Sequence, residues 1–281
     1  MIVYPNAKIN IGLKVLNKRE DGFHNLETLF YPVNKSDILE IVESSSLKME
    51  QYGIGIPVNG ANDTRLMAAE DNLCLKAYKL LKEDFDIPPV AIYLHKNIPV
   101  GAGLGGGSSD AAHTILALNT LFKLNLTKEK MAQYASILGS DCPFFIYNSP
   151  MLGQGRGEIL TEIEASGLED LKENYTIELV HPPYFVSTAQ AYGGIVPRNR
   201  QREAGIEHPD KDAPLTELLQ HPVEAWKDIV YNDFEETVFA KVPQLASYKE
   251  QLYKQGAVYA AMSGSGSTMF GIFRKQQSTV M

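Results

Sequence analysis

The chain has 281 residues, of which 44% are hydrophobic and 21% charged, a balance typical of globular proteins and sufficient for one large domain or two moderate ones. Its formal net charge of −8 disfavours a general nucleic-acid binder, so an anionic ligand needs a local site of backbone N–H groups and a few cations. Two cysteines make neither a disulfide framework nor a zinc cluster and indicate a reducing compartment, from which we expect a cytoplasmic protein. No apolar run is long enough to span a bilayer, and six scattered histidines predict no protein-held transition metal.

The first half of the chain mixes strands and helices. Apolar alternation, helical spacing and turn residues predict strands at 6–16, 38–42 and 90–100, helices at 73–82, 110–122 and 128–138, and a hairpin or surface loop at 53–64. The helix at 128–138 has the clearest ends, because Thr127 is a favourable N-cap and Gly139 a favourable C-cap. Alternation in the first strand places Lys8 and Asn10 together on the face opposite to the apolar one.

The second half continues the mixture. The sequence predicts strands at 175–183, 257–262 and 268–273 and helices near 188–194, 228–240 and 244–255. The polar, proline-rich segment 193–222 is longer than compact domains usually leave unstructured, which predicts a mobile excursion or a lid. Because strands and helices intermix without strict βαβ alternation, the predicted fold class is α+β in two layers. Three alternating glycines between 150 and 160 mark the expected domain boundary, giving domains of 1–155 and 156–281.

The strongest chemical signal is the stretch PVGAGLGGGSSDAA at 99–112, between a predicted strand and a long predicted helix. Glycines allow the backbone to approach a phosphate closely, and the first N–H groups of a helix lack intrahelical partners. Ser108 and Ser109 add hydroxyl donors. The plainer interpretation is a serine-capped connection, but five glycines within 101–107 exceed what a cap needs, so we favour phosphate binding.

Two better-known phosphate motifs are excluded by context. The stretch has no lysine where a P-loop requires GK[ST]. Gly101, Gly103 and Gly106 fit the dinucleotide pattern G-x-G-x-x-G, but a Rossmann fold needs a second strand ending in an acidic residue about twenty positions later. This chain has helical sequence there.

Two further residues could serve phosphoryl transfer. Asp141 in GSDCPFF could accept the proton of an alcohol, but an Asp two residues before Pro143 is also typical of a helix N-cap, and the cap is the favoured interpretation from the residues alone. Lys8 is unusual if its face of the strand is buried and ordinary if that face is solvated. If Lys8 meets Asp141, the cation keeps the carboxylate ionised and stabilises a developing alkoxide.

Taken together, these motifs resemble the GHMP kinase superfamily. The resemblance rests on PVGAGLGGGSSDAA and on SGSGS at 263–267. Four further blocks narrow it to a branch of the superfamily that acts on a cytidine-linked alcohol: AKINIGLKV at 7–15, DGFHNLETLF at 21–30, GSDCPFF at 139–145 and GQGRGEIL at 153–160. It implies a two-domain α+β fold, with an N-terminal domain like domain 2 of ribosomal protein S5, a ferredoxin-like C-terminal domain and an active-site cleft between them. It further implies transfer of a phosphoryl group from ATP, with Mg²⁺, to the 2-hydroxyl of a cytidine-diphosphate-linked methylerythritol.

The resemblance also implies roles for individual residues. Asp141 corresponds to the catalytic base and Lys8 to its partner, with Asn10 beside the acceptor. Phe23 and His24 correspond to positions that hold cytosine, by stacking and by hydrogen bonding respectively, and a looser match adds Tyr192 as the second stacking face and Thr188 as a polar neighbour. The residues that correspond to the ATP-phosphate loop are Pro99, Gly101, Ala102, Gly103, Leu104, Gly105, Gly106, Gly107, Ser108 and Ser109.

Two departures from the family pattern stand out. The family more often has tyrosine where this chain has Phe23, so a hydroxyl contact is lost while stacking is kept. The segment 193–222 has no counterpart that can be aligned. The alternative functions are a mevalonate, homoserine or sugar kinase of the same superfamily, or a non-catalytic nucleotide-binding regulator. The expected partners are the two small-molecule substrates, with no nucleic acid and no membrane, and a homodimer is left open.

Overall fold

The computed structural model describes residues 1–54, 56–57, 64–65, 69–199 and 213–276. The chain forms two compact units, the first made of Met1–Ile9 and Tyr31–Pro150 and the second of Asn10–Phe30 and Met151–Met281. Two long strands belong partly to each unit, because β2 spans Asn6–Lys18 and β3 spans His24–Ser36. The predicted domains, 1–155 and 156–281, are each one continuous stretch, whereas each compact unit is made of two separate stretches. The two divisions are of different kinds, so the predicted boundary stays a prediction.

In its described residues, the first unit contains a sheet in the order β1-β4-β8-β5 and four helices that contact one another. β4 pairs with β8 antiparallel, and β5 pairs with β8 parallel. Ile41, Ile92 and Ile115 are fully buried in its core. Besides parts of β2 and β3, its described elements are β1 (Ile2–Val3), β4 (Ile38–Glu43), β5 (Lys48–Gly53), the short antiparallel pair of β6 (Ile56–Pro57) and β7 (Thr64–Arg65), a 3₁₀ turn at Ala69–Asp71, α1 (Leu73–Asp84), β8 (Val90–Lys96), α2 (Gly106–Leu121), α3 (Lys128–Leu138) and α4 (Cys142–Tyr147).

The part of the second unit that the structure describes contains two sheets, in the orders β10-β9-β3-β2 and β11-β13-β12. Leu13 and Val15 from β2 share a buried cluster with Val238, Leu245 and Met262. Its further elements are β9 (Met151–Gly155), β10 (Ile159–Glu162), α5 (Ser166–Asn174), β11 (Tyr175–Val180), α6 (Thr188–Tyr192), α7 (Leu215–Leu218), a 3₁₀ turn at Val223–Ala225, α8 (Trp226–Ile229), α9 (Phe234–Lys241), α10 (Gln244–Lys254), β12 (Tyr259–Met262) and β13 (Met269–Arg274).

Most predicted elements are confirmed, and the α3 bounds agree to the residue because the Thr127 hydroxyl accepts the N–H of Lys130. The predicted helix at 228–240 is wrong at its start, because the chain turns between α8 and α9. The carboxylate of Asp233 accepts the N–H of Val15 at 2.8 Å at this turn. β8 ends four residues before the predicted position, since the N–H groups of Asn97 and Ile98 donate to the carboxylate of Asp37 instead of to a strand.

The predicted excursion at 193–222 is described only at its two ends, and residues 200–212 lie outside the described residues. Arg198 is buried and pairs with Asp233 at 2.6 Å. Leu215 and Leu218 of α7 are also buried. Both ends of the segment are therefore packed against the second unit. Among the described helices of the chain, none combines the length and apolar character that crossing a membrane requires.

Candidate active site

The glycine turn, defined here as residues 99–109, joins β8 to α2 in the first unit. Gly101, Gly103 and Gly105 have φ angles of +68°, +80° and +68°, a region that strains any residue with a Cβ. Gly105 is the N-cap of α2 and supplies no capping side chain, so the first N–H groups of the helix are left for another acceptor. A Cβ at the exposed Gly107 would meet no atom within 4 Å, so packing gives no reason for glycine there. A glycine at this position would permit the close approach of an anion.

The two serines of the glycine turn differ in orientation. Ser109 is fully buried, its N–H donates to the carbonyl of Gly105, and its hydroxyl lies 3.3 Å from Nδ1 of His113. Ser108 is half-buried, and its hydroxyl contacts the thiol of Cys142. Ser108 is thus the more accessible of the two predicted hydroxyl donors. Of the other predicted phosphate-loop residues, Ala102, Leu104 and Gly106 are buried, Pro99, Gly103 and Gly105 are half-buried, and Gly101 is exposed.

Lys8 and Asp141 meet beside the glycine turn. Nζ of Lys8 lies 3.4 Å from Oδ2 of Asp141 and donates to the carbonyl of Gly103 at 3.2 Å. The backbone N–H of Lys8 donates to the carbonyl of Leu104 at 3.0 Å. The Lys8 side chain is 4% exposed and that of Asp141 is 32% exposed, so the carboxylate reaches solvent while the ammonium does not. The face of β2 that carries Lys8 is therefore buried.

The geometry of Asp141 bears on the interpretation that it caps a helix. The residue does occupy the N-cap position of α4, but its side chain makes no capping hydrogen bond, and its φ of −85° and ψ of −14° are helical rather than extended. Its carboxylate is directed to Lys8 instead. A partly solvated carboxylate beside a buried cation can accept a proton while the cation stabilises charge on the acceptor oxygen.

Asn10 lies in the second unit, two residues beyond Lys8. Its side-chain amide donates to Oγ1 of Thr28 at 3.0 Å, and its backbone N–H donates to Oγ of Ser263 at 3.3 Å. The side chain is almost completely buried. Asn10 therefore ties β2 to β3 and to the first serine of the SGSGS turn at 263–267.

The residues predicted to hold the cytosine ring also lie in the second unit. His24 and Tyr192 stack, with ring centroids 4.8 Å apart and an interplanar angle of 17°. Phe23 is 55% exposed, and the guanidinium of Arg156 lies 5.1 Å from its ring centroid. Oγ1 of Thr188 lies 3.4 Å from Oγ of Ser265. The structure thus pairs Tyr192 with His24 and Phe23 with Arg156.

The protonation state of His24 follows from its surroundings. Burial, reinforced by the charge of Lys18, lowers the pKa of His24 below its ordinary value. The neutral imidazole that results has one nitrogen that donates a hydrogen bond and one that accepts.

Sequence reasoning missed three buried charged residues of the first unit, Asp37, Lys96 and Asp110. Asp110 lies in the motif PVGAGLGGGSSDAA. Its position one turn into a helix, among apolar neighbours, is the sequence feature that could have indicated a buried carboxylate. It also missed Arg156, which lies in the block GQGRGEIL. The part of the chain that the structure describes contains no group of three or more His, Cys, Asp or Glu side chains placed to hold a metal ion.

Both halves of the chain match one class of enzyme. Residues 72–149 match the GHMP kinases N terminal domain, and residues 215–279 match the GHMP kinases C terminal domain. The first match contains the glycine turn and Asp141, and the second contains the SGSGS turn. The class that the fold and the site define is therefore the GHMP kinases, and the predicted fold class is confirmed.

Whole-chain relatives narrow this class. Proteins named 4-diphosphocytidyl-2-C-methyl-D-erythritol kinase from Cytophaga hutchinsonii and Bacteroides fragilis are 46% and 45% identical over 279 residues, covering 99% of this chain and 94% and 93% of theirs. A crystal structure of 4-(cytidine 5'-diphospho)-2C-methyl-D-erythritol kinase matches with a TM-score of 0.75 at 30% identity, covering 96% of this chain and 89% of that one. A mevalonate kinase structure, at 15% identity and a TM-score of 0.70 over 97% of this chain and 91% of that one, is similar in fold alone. This chain belongs to the 4-diphosphocytidyl-2-C-methyl-D-erythritol kinase family of the GHMP kinases.

Proposed function

We propose that the protein phosphorylates the 2-hydroxyl of 4-diphosphocytidyl-2-C-methyl-D-erythritol with ATP, giving the 2-phosphate and ADP, in the non-mevalonate route to isoprenoid precursors. The observation that carries the proposal is the Lys8–Asp141 pair, at 3.4 Å, beside a glycine turn with three glycines at positive φ. The choice of acceptor follows the names of relatives that align with 99% of the chain.

The glycine turn would hold the phosphates of ATP. The backbone N–H groups at the start of α2 and the positive end of the helix dipole favour a phosphate there. The exposed backbone of Gly107 would allow a phosphate oxygen to approach the N–H directly. Because the buried Lys8 ammonium binds the carbonyl of Gly103, the turn and the reacting groups are held by the same side chain.

Asp141 would act as the general base of the transfer. It would take the proton of the acceptor hydroxyl as the oxygen attacks the γ-phosphorus, the bond from that phosphorus to the β–γ bridging oxygen breaks, and ADP leaves. Lys8 would orient the Asp141 carboxylate and stabilise negative charge that develops on the acceptor oxygen. Neither residue forms a covalent intermediate in this scheme.

Mg²⁺ would enter with the nucleotide. This ion prefers oxygen ligands, keeps several waters and is usually bound through substrate phosphates rather than by an all-protein cage. No group of three or more His, Cys, Asp or Glu side chains among the described residues is placed to hold a metal ion, and we propose that the ion is carried on the phosphates. When bound there, Mg²⁺ offsets the negative charge of the phosphates.

The cytosine would be recognised in the second unit by Phe23, His24, Thr188 and Tyr192, with Asn10 placed toward the acceptor. Neutral His24 offers one donor and one acceptor, which matches the alternating edge of cytosine. Tyr192 and His24 already stack on each other. We propose that the cytosine ring, when it binds, stacks against these two rings and against the ring of Phe23.

A coupled ADP-release assay tests the function. Turnover with 4-diphosphocytidyl-2-C-methyl-D-erythritol and none with mevalonate, homoserine or galactose is the expected result. Preferential turnover of one of the other alcohols would replace the proposed acceptor and leave the kinase chemistry in place.

Location and assembly belong to the same proposal. We propose the cytoplasm, since both cysteines, Cys74 and Cys142, are free and buried as expected in a reducing compartment. A homodimer is a further proposal, which light scattering at assay concentration would test.

A further inference from the structure

Three charged side chains are buried together beneath the start of α2 in the first unit. Nζ of Lys96 lies 2.6 Å from Oδ2 of Asp110 and forms a shorter contact with Oδ2 of Asp37. All three residues are at most 3% exposed. A Cβ added to Gly106, the first residue of α2, would lie 3.2 Å from Nζ of Lys96, so the ammonium sits directly under the glycine turn.

This triad, Asp37–Lys96–Asp110, closes the glycine turn at both ends. Lys96 is the last residue of β8, and Asp110 lies one turn into α2, so their ion pair joins the strand that enters the turn to the helix that leaves it. Asp37 adds a third anchor, because its Oδ1 accepts the N–H groups of Asn97 at 2.5 Å and Ile98 at 2.8 Å. The conformation of the turn therefore depends on charges that solvent does not reach.

The charges of the triad do not balance. Two carboxylates share one ammonium, and Oδ1 of Asp110 is buried without a hydrogen-bond partner among the residues that the structure describes. Such an uncompensated buried charge is costly, and a carboxyl in this setting relieves the cost by binding a proton. An anion bound at the start of α2 adds to the cost, since it is a like charge on the other side of the turn.

The neighbours of Asp110 identify it as the group that titrates. Burial raises the pKa of Asp110 to about 7, with Lys96 opposing the rise and Asp37 adding to it. Burial alone would lower the pKa of Lys96, but the two carboxylates raise it, so the ammonium keeps its charge. From α1, Cys74 faces Asp110 as a neutral thiol, because burial raises its pKa. On α2 itself, the pKa of His113 is lowered by burial, so the imidazole is neutral.

We propose that Asp110 is a positioning residue of the glycine turn, and that its carboxyl takes up a proton from solvent when the phosphates of ATP bind. The protonated triad carries one positive and one negative charge and holds the turn without repelling the phosphates. The ionised triad has a net negative charge and opposes them. This inference rests on the proposed function in so far as ATP is the ligand of the turn.

Calorimetry on the unmodified protein is the first test. Binding of the imido analogue of ATP with Mg²⁺ is measured at pH 8 in buffers of different ionisation enthalpy. The slope of the observed binding enthalpy against the ionisation enthalpy of the buffer gives the number of protons taken up. If bound phosphates raise the pKa of Asp110 by one unit, uptake is about 0.4 proton per nucleotide. Binding without uptake overturns the inference alone, whereas failure of the analogue to bind overturns the proposed function as well.

Variants assign the proton to the triad. Asp110→Asn and Asp37→Asn each leave one carboxylate for one ammonium, so we expect both to abolish the uptake. The matched control is Asp86→Asn in the same unit, whose carboxylate is fully exposed and paired only at the surface with Lys82 at 3.2 Å; uptake should persist there. Two triad variants are used so that poor folding of one leaves the other to decide. Uptake that persists in a folded triad variant would refute the assignment.

Steady-state kinetics provide a readout that a merely structural role would not move. In the unmodified enzyme, the same one-unit rise in the pKa of Asp110 predicts that KM for ATP increases about fivefold from pH 7 to pH 9, because ionised Asp110 repels the phosphates. In Asp110→Asn this rise should disappear, so that the variant binds ATP more tightly than the unmodified enzyme at pH 9. A variant with uniformly weakened ATP binding at every pH would indicate a structural role only and contradict the inference.

Discussion

Replacement of Gly107 by alanine separates what the glycine turn contributes to folding from what it contributes to binding. Gly107 is exposed, lies in the first turn of α2, and has no atom within 4 Å of the position that a Cβ would take. Alanine is favoured over glycine within helices by roughly 0.5–1 kcal/mol. We therefore expect Gly107→Ala to raise the free energy of unfolding by about that amount and to raise Tm by about 1–4 °C.

The same substitution should impair ATP binding. The Cα–Cβ bond of a helical residue tilts toward the N-terminus of the helix, so the new methyl group points to where a phosphate would lie. Loss of one hydrogen bond to a charged group costs about 1.5–3 kcal/mol, which corresponds to an increase of about 10- to 150-fold in KM for ATP. Thermal unfolding and the ADP-release assay measure the two effects on one preparation.

Two companion variants sharpen this experiment. Ser136→Ala, on the exposed face of α3, also increases helix propensity and should leave KM for ATP unchanged. Gly105→Ala should destabilise the protein by about 1–2 kcal/mol, because φ is +68° and the Cβ would lie 3.1 Å from Cε of Lys8. A stabilised Gly107→Ala enzyme with an unchanged KM for ATP would refute the placement of the phosphates on this turn.

The remaining predictions concern the base, the cytosine contact and the buried triad. Asp141→Asn should lower kcat at least about 100-fold in the ADP-release assay while KM for ATP changes less than about threefold, and an unchanged kcat would exclude Asp141 as the base. His24→Ala should raise mainly KM for the cytidine substrate, and an unchanged KM would speak against the proposed contact. Since the folded-state pKa of Asp110, about 7, exceeds its ordinary value of 3.8, the stability it contributes is complete below about pH 4 and is lost as pH rises to 7. Urea unfolding should therefore show a decline over this range, on the order of 4 kcal/mol, that Asp110→Asn lacks, and parallel curves would contradict it.

Elements with local signals were predictable from the sequence, and elements whose ends depend on distant partners were not. α3 has a capping threonine and a terminal glycine within its own sequence, and its predicted bounds agree to the residue. β8 ends early because Asp37, about sixty residues away in the chain, accepts the N–H groups that follow it. The turn before α9 depends in the same way on Asp233 binding the backbone of Val15.

The residues of the candidate site also divide into those with a local sequence signal and those that depend on distant partners. The glycine turn was predictable, because its composition is the physical requirement for close approach to an anion. Strand alternation set Lys8 apart from the apolar face but left open whether it faces solvent, since its partner Asp141 lies 133 positions later. Asp110 lies in the motif at 99–112, but only the fold brings it to Lys96 and Asp37. There, two carboxylates share one ammonium.

Lys8 contacts both parts of the proposed catalytic site within the first unit. Its backbone N–H and its ammonium bind the carbonyls of Leu104 and Gly103, two successive residues of the glycine turn, and the same ammonium lies 3.4 Å from Asp141. A movement of the turn would therefore reach Lys8, the proposed partner of the base, while the buried triad joins β8 to α2 at the ends of the turn. In the proposed mechanism the γ-phosphoryl must lie in line with the acceptor oxygen, so a turn held by Lys8 and by the triad would position the phosphates of ATP with little rearrangement of the chain. If the proposed mechanism holds, the buried charges around this turn serve the alignment of the phosphates as well as stability.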